Sequence, residues 1–453
     1  ATAAVLTLTT SIIDFYGAQT VRVVMRPDSE LQGAVPDGPY DRSVILAANN
    51  DAATELVYPI EQAPPRLFVT GRGSELVDQA RLVTSTIANL ALTTKAFAGV
   101  SVPPPVLAAD SVTLDDLEIG SVAGTGTASL ALDQTRLGRS AAGMSVHLIG
   151  NYTPGAGAVT ASVGDRRLDV WAADDSGILD HWVDIPNDAL GRVTTLDVTV
   201  AHSAEGTSAC GGSAAQVTID GSTVVDSTDS STPAPLGFGS LPQALMPRVN
   251  VAMADNTFEN TVRAASILDG MQRMSSRAVD VAVVSIEDAL AGTDPALIID
   301  PEGTVEKSLP LSSSGATTFS AVTASGSTDV LTLDSALPYA SLQVAATDGD
   351  AAMLVASSNG APAELDRMLA WLDADSTRWY ALSGDVLLGA ESQEPLSLTS
   401  GDLTGPEADV AATDSESSNS ATAIAIAIGA GLLIVGIVVA VVLRMRSRNP
   451  RAS

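Results

Sequence analysis

Aromatic residues make up 4% of this 453-residue chain, so the polar company they keep is informative. In Arg167-Leu168-Asp169-Val170-Trp171, a strand's alternation puts Trp171 on one face with Arg167 and Asp169, opposite Leu168 and Val170. Tyr152 lies in the turn Gly150-Asn151-Tyr152-Thr153. An exposed ring beside carboxylates and amides is how a β-sandwich holds a sugar: the ring stacks on C–H groups while polar atoms take the hydroxyls. The same rings could instead cap a hydrophobic core. For Trp171 both readings stand; Trp182, which follows His181, reads as a core cap.

Reactive chemistry leaves no comparable trace. The histidines are His147, His181 and His202, without the His-Glu-x-x-His spacing of a metal site. No Gly-x-Ser-x-Gly elbow and no Gly-x-x-x-x-Gly-Lys loop occurs. Gly71-Arg72-Gly73 follows a strand and opens a helix, but Leu76 holds the third glycine position of a dinucleotide fingerprint, so it reads as a plain strand–helix turn. Pairs such as Asp174-Asp175 read as solvated turns in so acidic a chain. The sequence therefore predicts no catalytic residue, no metal and no cofactor.

The elements that carry these residues fall into two classes. Met144, Val146 and Leu148 alternate with Ser145, His147 and Ile149, and Leu196, Val198 and Val200 alternate with Thr195, Asp197 and Thr199. Such strands, parted by Gly- and Asp-rich turns, predict an antiparallel sandwich over 105–230, after the stiff linker Pro103-Pro104-Pro105 and before a polar connector over 223–240. Two flanking stretches read instead as alternating strands and amphipathic helices, predicting α/β domains with parallel sheets over 1–98 and 245–390. In the first, Val5, Thr9, Ile12 and Tyr16 mark a helix face. The strands Val21–Met25 and Leu67–Thr70 follow, then a helix through Leu76, Ala80, Val83, Ile87 and Leu90. In the second, the strand Arg248–Met253 precedes a helix with Phe258, Val262, Ala265 and Leu268 on its face and Asn256 and Glu259 as a capping pair. Strands at Val279–Val284 and Met353–Ala356 come next, then a helix opened by Pro362 with Leu365, Met368, Leu369 and Leu372 as its stripe. The first copy has no strand ahead of its helix, so upstream sequence is expected to be missing.

With 53 acidic and 23 basic residues the chain carries a net charge of −30, which excludes nucleic acid and anionic lipid as partners. Cys210, the one cysteine, lies in a small-residue loop and predicts no disulfide framework. Residues 400–420 read as a polar stalk. Residues 421–443 then run without a charge, long enough for the ~20-residue helix that crosses a bilayer. Arg444, Arg446, Arg448 and Arg451 follow, so 444–453 is expected in the cytoplasm and the bulk of the chain outside the cell membrane. Ala421, Ala425 and Gly429 recur at a spacing that admits close approach by another helix, although small residues are common throughout this chain.

The order α/β, sandwich, α/β, stalk and span resembles the periplasmic B subunit of bacterial cellulose synthase, the family long labelled a cyclic-di-GMP-binding regulatory protein. Pro65-Arg66-Leu67-Phe68-Val69-Thr70-Gly71-Arg72 is similar to the strand and turn of that family's first flavodoxin-like domain. Arg167-Leu168-Asp169-Val170-Trp171 is similar to its sandwich strand, and Arg378-Trp379-Tyr380-Ala381-Leu382-Ser383-Gly384-Asp385-Val386 to the signature closing its last flavodoxin-like domain. The resemblance implies flavodoxin-like domains without flavin on either side of a jelly-roll-like sandwich. It implies a non-catalytic subunit whose C-terminal span docks on a membrane-embedded catalytic glycosyltransferase, and a glycan polymer as second partner. Arg167, Asp169, Trp171 and Tyr152 are then the candidate carbohydrate-binding residues. A surface-anchored adhesion protein and an exported glycoside hydrolase are the competing readings. The Ala/Gly/Asp/Thr bias leaves the polymer's identity open.

The topology is directly checkable. A reporter fused to the C-terminus should be active only on the cytoplasmic side, and activity confined to the outside would overturn the orientation.

Overall fold

The computed structural model describes residues 1–17, 19, 21–27, 30, 41–58, 65–85, 93–98, 109–155, 157–202, 215–229, 236–305, 307, 309–311, 317–322, 328–333, 337–391 and 393–399. The linker at 103–105, Cys210, the stalk at 400–420, the span at 421–443 with Ala421, Ala425 and Gly429, and the tail lie outside these residues. Among the described residues no helix is long and apolar enough to cross a membrane. The content is predominantly β, arranged in several sheets with helices on some of their faces.

The N-terminal unit comprises α1 (Thr2–Tyr16), β1 (Ser43–Ala48), β2 (Ala53–Val57), β3 (Arg66–Gly71), α2 (Ser74–Thr84) and β4 (Lys95–Ala96). Its sheet runs β1-β3-β2-β4 and is mixed rather than parallel: β1 and β3 are parallel, while β2 is antiparallel to both β3 and β4. Val21–Met25 is not a strand, and Met25 packs instead on the core of the C-terminal unit. The face of α1 also differs from expectation. Ala4 and Leu8 join Val69, Leu76 and Ala80 in the local core, whereas Leu6 is buried in the core of the C-terminal unit. A helix covered on two sides has no single stripe. Two of its buried threonines fit because they turn back on their own helix, Thr9 Oγ1 donating to the Val5 carbonyl at 3.0 Å and Thr10 Oγ1 to that of Thr7 at 3.0 Å. Gly71 permits the tight turn into α2, since a Cβ there would lie 2.9 Å from the Leu76 nitrogen.

The central unit holds β5 (Ser111–Thr113), β6 (Val122–Thr125), β7 (Thr127–Asp133), α3 (Gln134–Leu137), β8 (Ala141–Tyr152), β9 (Gly157–Val163), β10 (Arg166–Ala173), β11 (Ile178–Pro186), β12 (Val193–His202), β13 (Gln216–Ile219) and β14 (Val224–Asp229). One sheet runs β10-β9-β12-β7; the other runs β5-β14-β8-β13-β6, with β11 on the free side of β8. All pairings are antiparallel, and the inward residues of both sheets share one core, so the sandwich expectation holds at that level. The start of the expected connector is strand β14 instead.

The C-terminal unit comprises β15 (Arg248–Met253), α4 (Phe258–Arg273), β16 (Asp280–Val283), α5 (Ile286–Ala291), β17 (Ala296–Asp300), β18 (Thr317–Val322), β19 (Thr328–Leu333), β20 (Tyr339–Ala346), β21 (Ala352–Ser358), α6 (Pro362–Asp373), α7 (Thr377–Ala381), β22 (Val386–Ala390) and β23 (Leu396–Leu398). Its sheet runs β16-β15-β17-β21-β20-β22-β23. The first four strands are parallel, in the order of a doubly wound sheet, and the last three continue it antiparallel, so this sheet too is mixed. The stripe of α6 is buried as expected. That of α4 is rotated: Phe258 and Val262 are exposed while Ala264, Ile267, Leu268 and Met271 are buried. Thr257, not Asn256, caps α4, its hydroxyl accepting from the Asn260 amide at 3.2 Å.

The three units meet at the end of α4. Gln272 donates to the Asp14 carboxylate at 3.4 Å, and the Arg273 carbonyl accepts from the Tyr380 hydroxyl at 2.6 Å. Ser276 donates to Asp133 at 2.7 Å through its hydroxyl and to Thr135 Oγ1 at 2.9 Å through its amide. The Arg192 guanidinium lies 4.8 Å from the centre of the Tyr380 ring. Arg81 of α2 pairs with the buried Asp280 at the head of β16. Burial holds the Asp269 carboxyl above the usual range, although Arg273 hydrogen-bonds it and opposes the shift.

One glycine sets how closely this junction packs. A Cβ at Gly270 would fall inside the van der Waals envelope of the buried Trp379 ring. Ala in a helix interior is otherwise about 1 kcal/mol better than Gly. Gly270→Ala should nonetheless destabilise by about 1–3 kcal/mol through overpacking. A denaturant midpoint equal to or above that of the parent would refute this account.

Candidate functional site

The structure exchanges the roles of the two sandwich tryptophans. For Trp171 the cause is a register shift between Arg167 and Asp169, where Leu168 has no partner on β9. One extra residue reverses the facing of everything beyond it. Asp169 and Trp171 therefore pair with the inward Ala161 and Val159, while Val170 is exposed. Arg167, ahead of the shift, pairs with Ser162 and is exposed on the other face, apart from Trp171. The expected grouping of Arg167, Asp169 and Trp171 on one open face does not form.

Trp171 is half-buried and packs on the sandwich core. Its ring stacks on His181 with centroids 4.0 Å apart, and His181 Nε2 meets Asp169 Oδ2 at 2.8 Å. These three residues bridge β10 and β11, the edge strands of the two sheets, and close that side of the sandwich. The His181 hydrogen bond, helped by the Val170 amide, holds the Asp169 carboxyl below the usual range. This contribution is present above the ordinary Asp range and fades as pH falls through the lowered value.

Tyr152 is likewise not a stacking ring. It ends β8, is 5% exposed, and belongs to the core. Its hydroxyl donates to Asp174 Oδ1 at 3.1 Å and accepts from the Asp174 amide at 2.9 Å, pinning the turn before β11. Ser176 is the main reason the Asp174 carboxyl sits below its usual range, with Tyr152 adding to it.

The exposed ring is Trp182, expected in the core and found 47% exposed. On β11 the residues Leu179, Val183 and Ile185 point inward, which turns Asp180, Trp182 and Asp184 outward. Trp182 sits directly opposite His147 of β8 and stacks flat on it, with centroids 4.5 Å apart and 8° between planes. His147 Nε2 is in turn 2.7 Å from Asp180 Oδ1. One pair further along, Ser145 faces Asp184 and donates to it at 2.5 Å. Since among the described residues β11 pairs with β8 alone, the ring face away from His147 looks past the sheet edge. The result is a flat aromatic plate on a strand, braced from behind and flanked by two carboxylates. Such a plate can stack on a sugar's C–H face while the carboxylates accept hydroxyl hydrogens.

Sequence reading singled out neither His147 as a partner of Trp182 nor Asp180 and Asp184. The alternation Leu179, His181, Val183, Ile185 against Asp180, Trp182, Asp184 was the available signal. Among the described residues no three His, Cys, Asp or Glu side chains are grouped to hold a metal ion.

No protein-family model matches the chain, and no curated protein matches it. Among solved structures it is similar to the CBM36-1 domain of a multidomain xylanase from the hindgut metagenome of Trinervitermes trinervoides, at 10% identity and TM-score 0.16, over 24% of this chain and 77% of that one. It is also similar to a family two carbohydrate esterase from Clostridium thermocellum, at 10% identity and TM-score 0.14, over 40% of this chain and 60% of that one. A family two carbohydrate esterase from Cellvibrio japonicus matches at 10% identity and TM-score 0.14, over 37% of this chain and 44% of that one. At these scores the likeness carries no argument about fold or function.

The exchanged roles predict opposite stability effects. Trp171→Ala should cost about 2–4 kcal/mol, toward the lower end of buried-aromatic truncations because the ring is only half-buried. Trp182→Ala should cost about 1 kcal/mol or less, the worth of an exposed cross-strand pair with His147. Denaturant unfolding of the two variants checks this, and a larger loss at Trp182 than at Trp171 would reverse the assignment.

Proposed function

We propose that this chain is a non-catalytic glycan-binding subunit of a membrane polysaccharide synthase. In this reading residues 421–443 anchor it in the cell membrane, with the bulk outside and the tail in the cytoplasm. The span docks on a membrane-embedded catalytic glycosyltransferase, and the outer units guide the emerging polymer. The observation that carries the glycan reading is Trp182, an open aromatic plate held by His147 and Asp180 beside Asp184. Both His–Asp pairs of the sandwich are engaged in bracing tryptophans, which agrees with a binding rather than a reactive role.

Support for the synthase setting is the order of units along the sequence and its resemblance to the cellulose synthase B subunit. The doubly wound order of β16, β15, β17 and β21 is compatible with a flavodoxin-like origin for the C-terminal unit. A surface-anchored glycan-binding protein would use the same plate, and differs in having no catalytic partner.

The test is binding of soluble glycans by the full-length protein in detergent, followed by isothermal titration calorimetry. Trp182→Ala should weaken binding by about 1 kcal/mol or more, roughly fivefold or greater, as expected for a lost stacking ring. Trp171→Phe, which keeps a ring against His181, should leave it unchanged. Equal affinity in the parent and Trp182→Ala would sink the glycan reading. Co-purification of a multi-span glycosyltransferase with the chain would favour the synthase over the adhesion setting.

A further inference from the structure

Beside the Trp182 plate runs an open groove of ≈ 580 Å³, lined by Asp110, Ser111, Gly143, Ser145, Asp184 and Asp226 among others. The strand register makes its relation to the plate definite. One row across the sheet reads Trp182 (β11), His147 (β8), Val224 (β14), Thr113 (β5); the next reads Asp184, Ser145, Asp226, Ser111. The rows are two residues apart along each strand, roughly 7 Å, and the four strands of a row span about 14 Å. The first row offers an aromatic and apolar surface, the second a line of hydrogen-bond acceptors and hydroxyls.

The groove has fixed parts. Arg139, 5% exposed, lies beneath it and donates to Asp110 Oδ1 at 3.1 Å and to Ser227 Oγ at 3.2 Å, so its charge is already committed. Asp184 accepts from Ser145. Asp226 Oδ1 is sealed from solvent with no hydrogen-bond partner among the described residues. That oxygen is as closed to a ligand as to water, so the partly exposed Asp226 offers the groove its Oδ2 instead.

We propose that the groove is a second subsite continuous with the Trp182 plate, and that it takes further units of a neutral, hydroxyl-bearing glycan chain lying across β11, β8 and β14. This rests on the reading of Trp182 as the glycan plate and adds the chain length and charge that the site accepts. Asp184 and Asp226 stand on the strands either side of Ser145 and accept hydroxyl hydrogens. The same carboxylates, with the nearby Arg139 guanidinium already paired with Asp110, repel a uronate or sulfated chain. A disaccharide reaches only the plate; a hexasaccharide fills both subsites.

The experiment is titration of the full-length protein in detergent with neutral gluco-oligosaccharides of two and six units, a galacturonate hexamer and a glucosamine hexamer. The neutral hexamer should bind at least about tenfold more tightly than the dimer, and the galacturonate hexamer should not bind. Asp184→Asn and Asp226→Asn should each weaken the hexamer about tenfold, the loss expected of one hydrogen bond to a charged group. Asp226→Asn should leave dimer affinity and melting temperature unchanged, whereas Asp184→Asn, at a carboxylate that also flanks the plate, should weaken the dimer as well. Ser145→Val, which fills the groove floor and keeps both carboxylates while removing the hydrogen bond to Asp184, should reproduce the hexamer loss if either Asn variant folds poorly. Unchanged hexamer affinity in all three variants, or binding of the galacturonate hexamer as tight as the neutral one, would overturn the groove while leaving the plate standing. Tighter binding of the glucosamine hexamer with steep salt dependence would overturn hydroxyl recognition in favour of ammonium. Binding of none of these glycans by the parent would remove the plate and the groove together.

Discussion

The last turn of α4 is the constraint on which the other two units depend. A helix end leaves carbonyls without intrahelical partners, and here that of Arg273 accepts from Tyr380 of the same unit. Just beyond it the Ser276 amide reaches Thr135 of the sandwich, and Gln272 donates to Asp14 of the N-terminal unit. The N-terminal unit has a core of few residues and shares α1 with the C-terminal one, Leu6 being buried there. Arg81 and Asp280 add a buried pair across the same boundary. Such pairs contribute more to fixing a geometry than to net stability, because desolvating two charges offsets much of their attraction. Apolar burial by α1 therefore holds the N- and C-terminal units together, and the polar contacts around the end of α4 fix their register and reach the sandwich.

Within the sandwich a single unpaired residue decides which way Trp171 faces. Without the shift at Leu168, Trp171 would face outward with Arg167 and the core would lose its lid between β10 and β11. With it, Trp171, His181 and Asp169 close the gap between two strand edges. Unpaired edges invite association with other chains, and a ring locked across two of them is one way to blunt that hazard.

Much of this organisation was legible in the sequence, for physical reasons that also mark where it stopped. Met144, Val146, Leu148 and Leu196, Val198, Val200 fell inward as their alternation requires, and the Pro362 helix buried its whole stripe. These segments each face one core, so period and burial agree. α1 failed that condition because two cores claim it. The sheets were read as parallel because the strands are short and apolar, yet such runs also serve antiparallel positions in a mixed sheet, as β20 and β22 do. The site was misread at Leu168 because a bulge leaves no mark in composition. The strand that displays the true plate was legible by period alone, but its aromatic residue looked like core.

His181 and Trp182 are neighbours on β11, and that adjacency links closure to display. Consecutive residues of a strand point to opposite faces, so β11 can grip Trp171 with one side chain and present a ring with the next. Among the described residues β11 pairs with β8 alone, and an edge strand held on one side tends to fray. The His181–Trp171 stack supplies the second hold, from the opposite sheet. Trp182 is then placed on a strand fixed from both sides and braced by His147 on its own face. A binding ring gains from this because less freedom is lost when a ligand stacks on it. The half-buried tryptophan thus contributes to the plate without touching what the plate would hold.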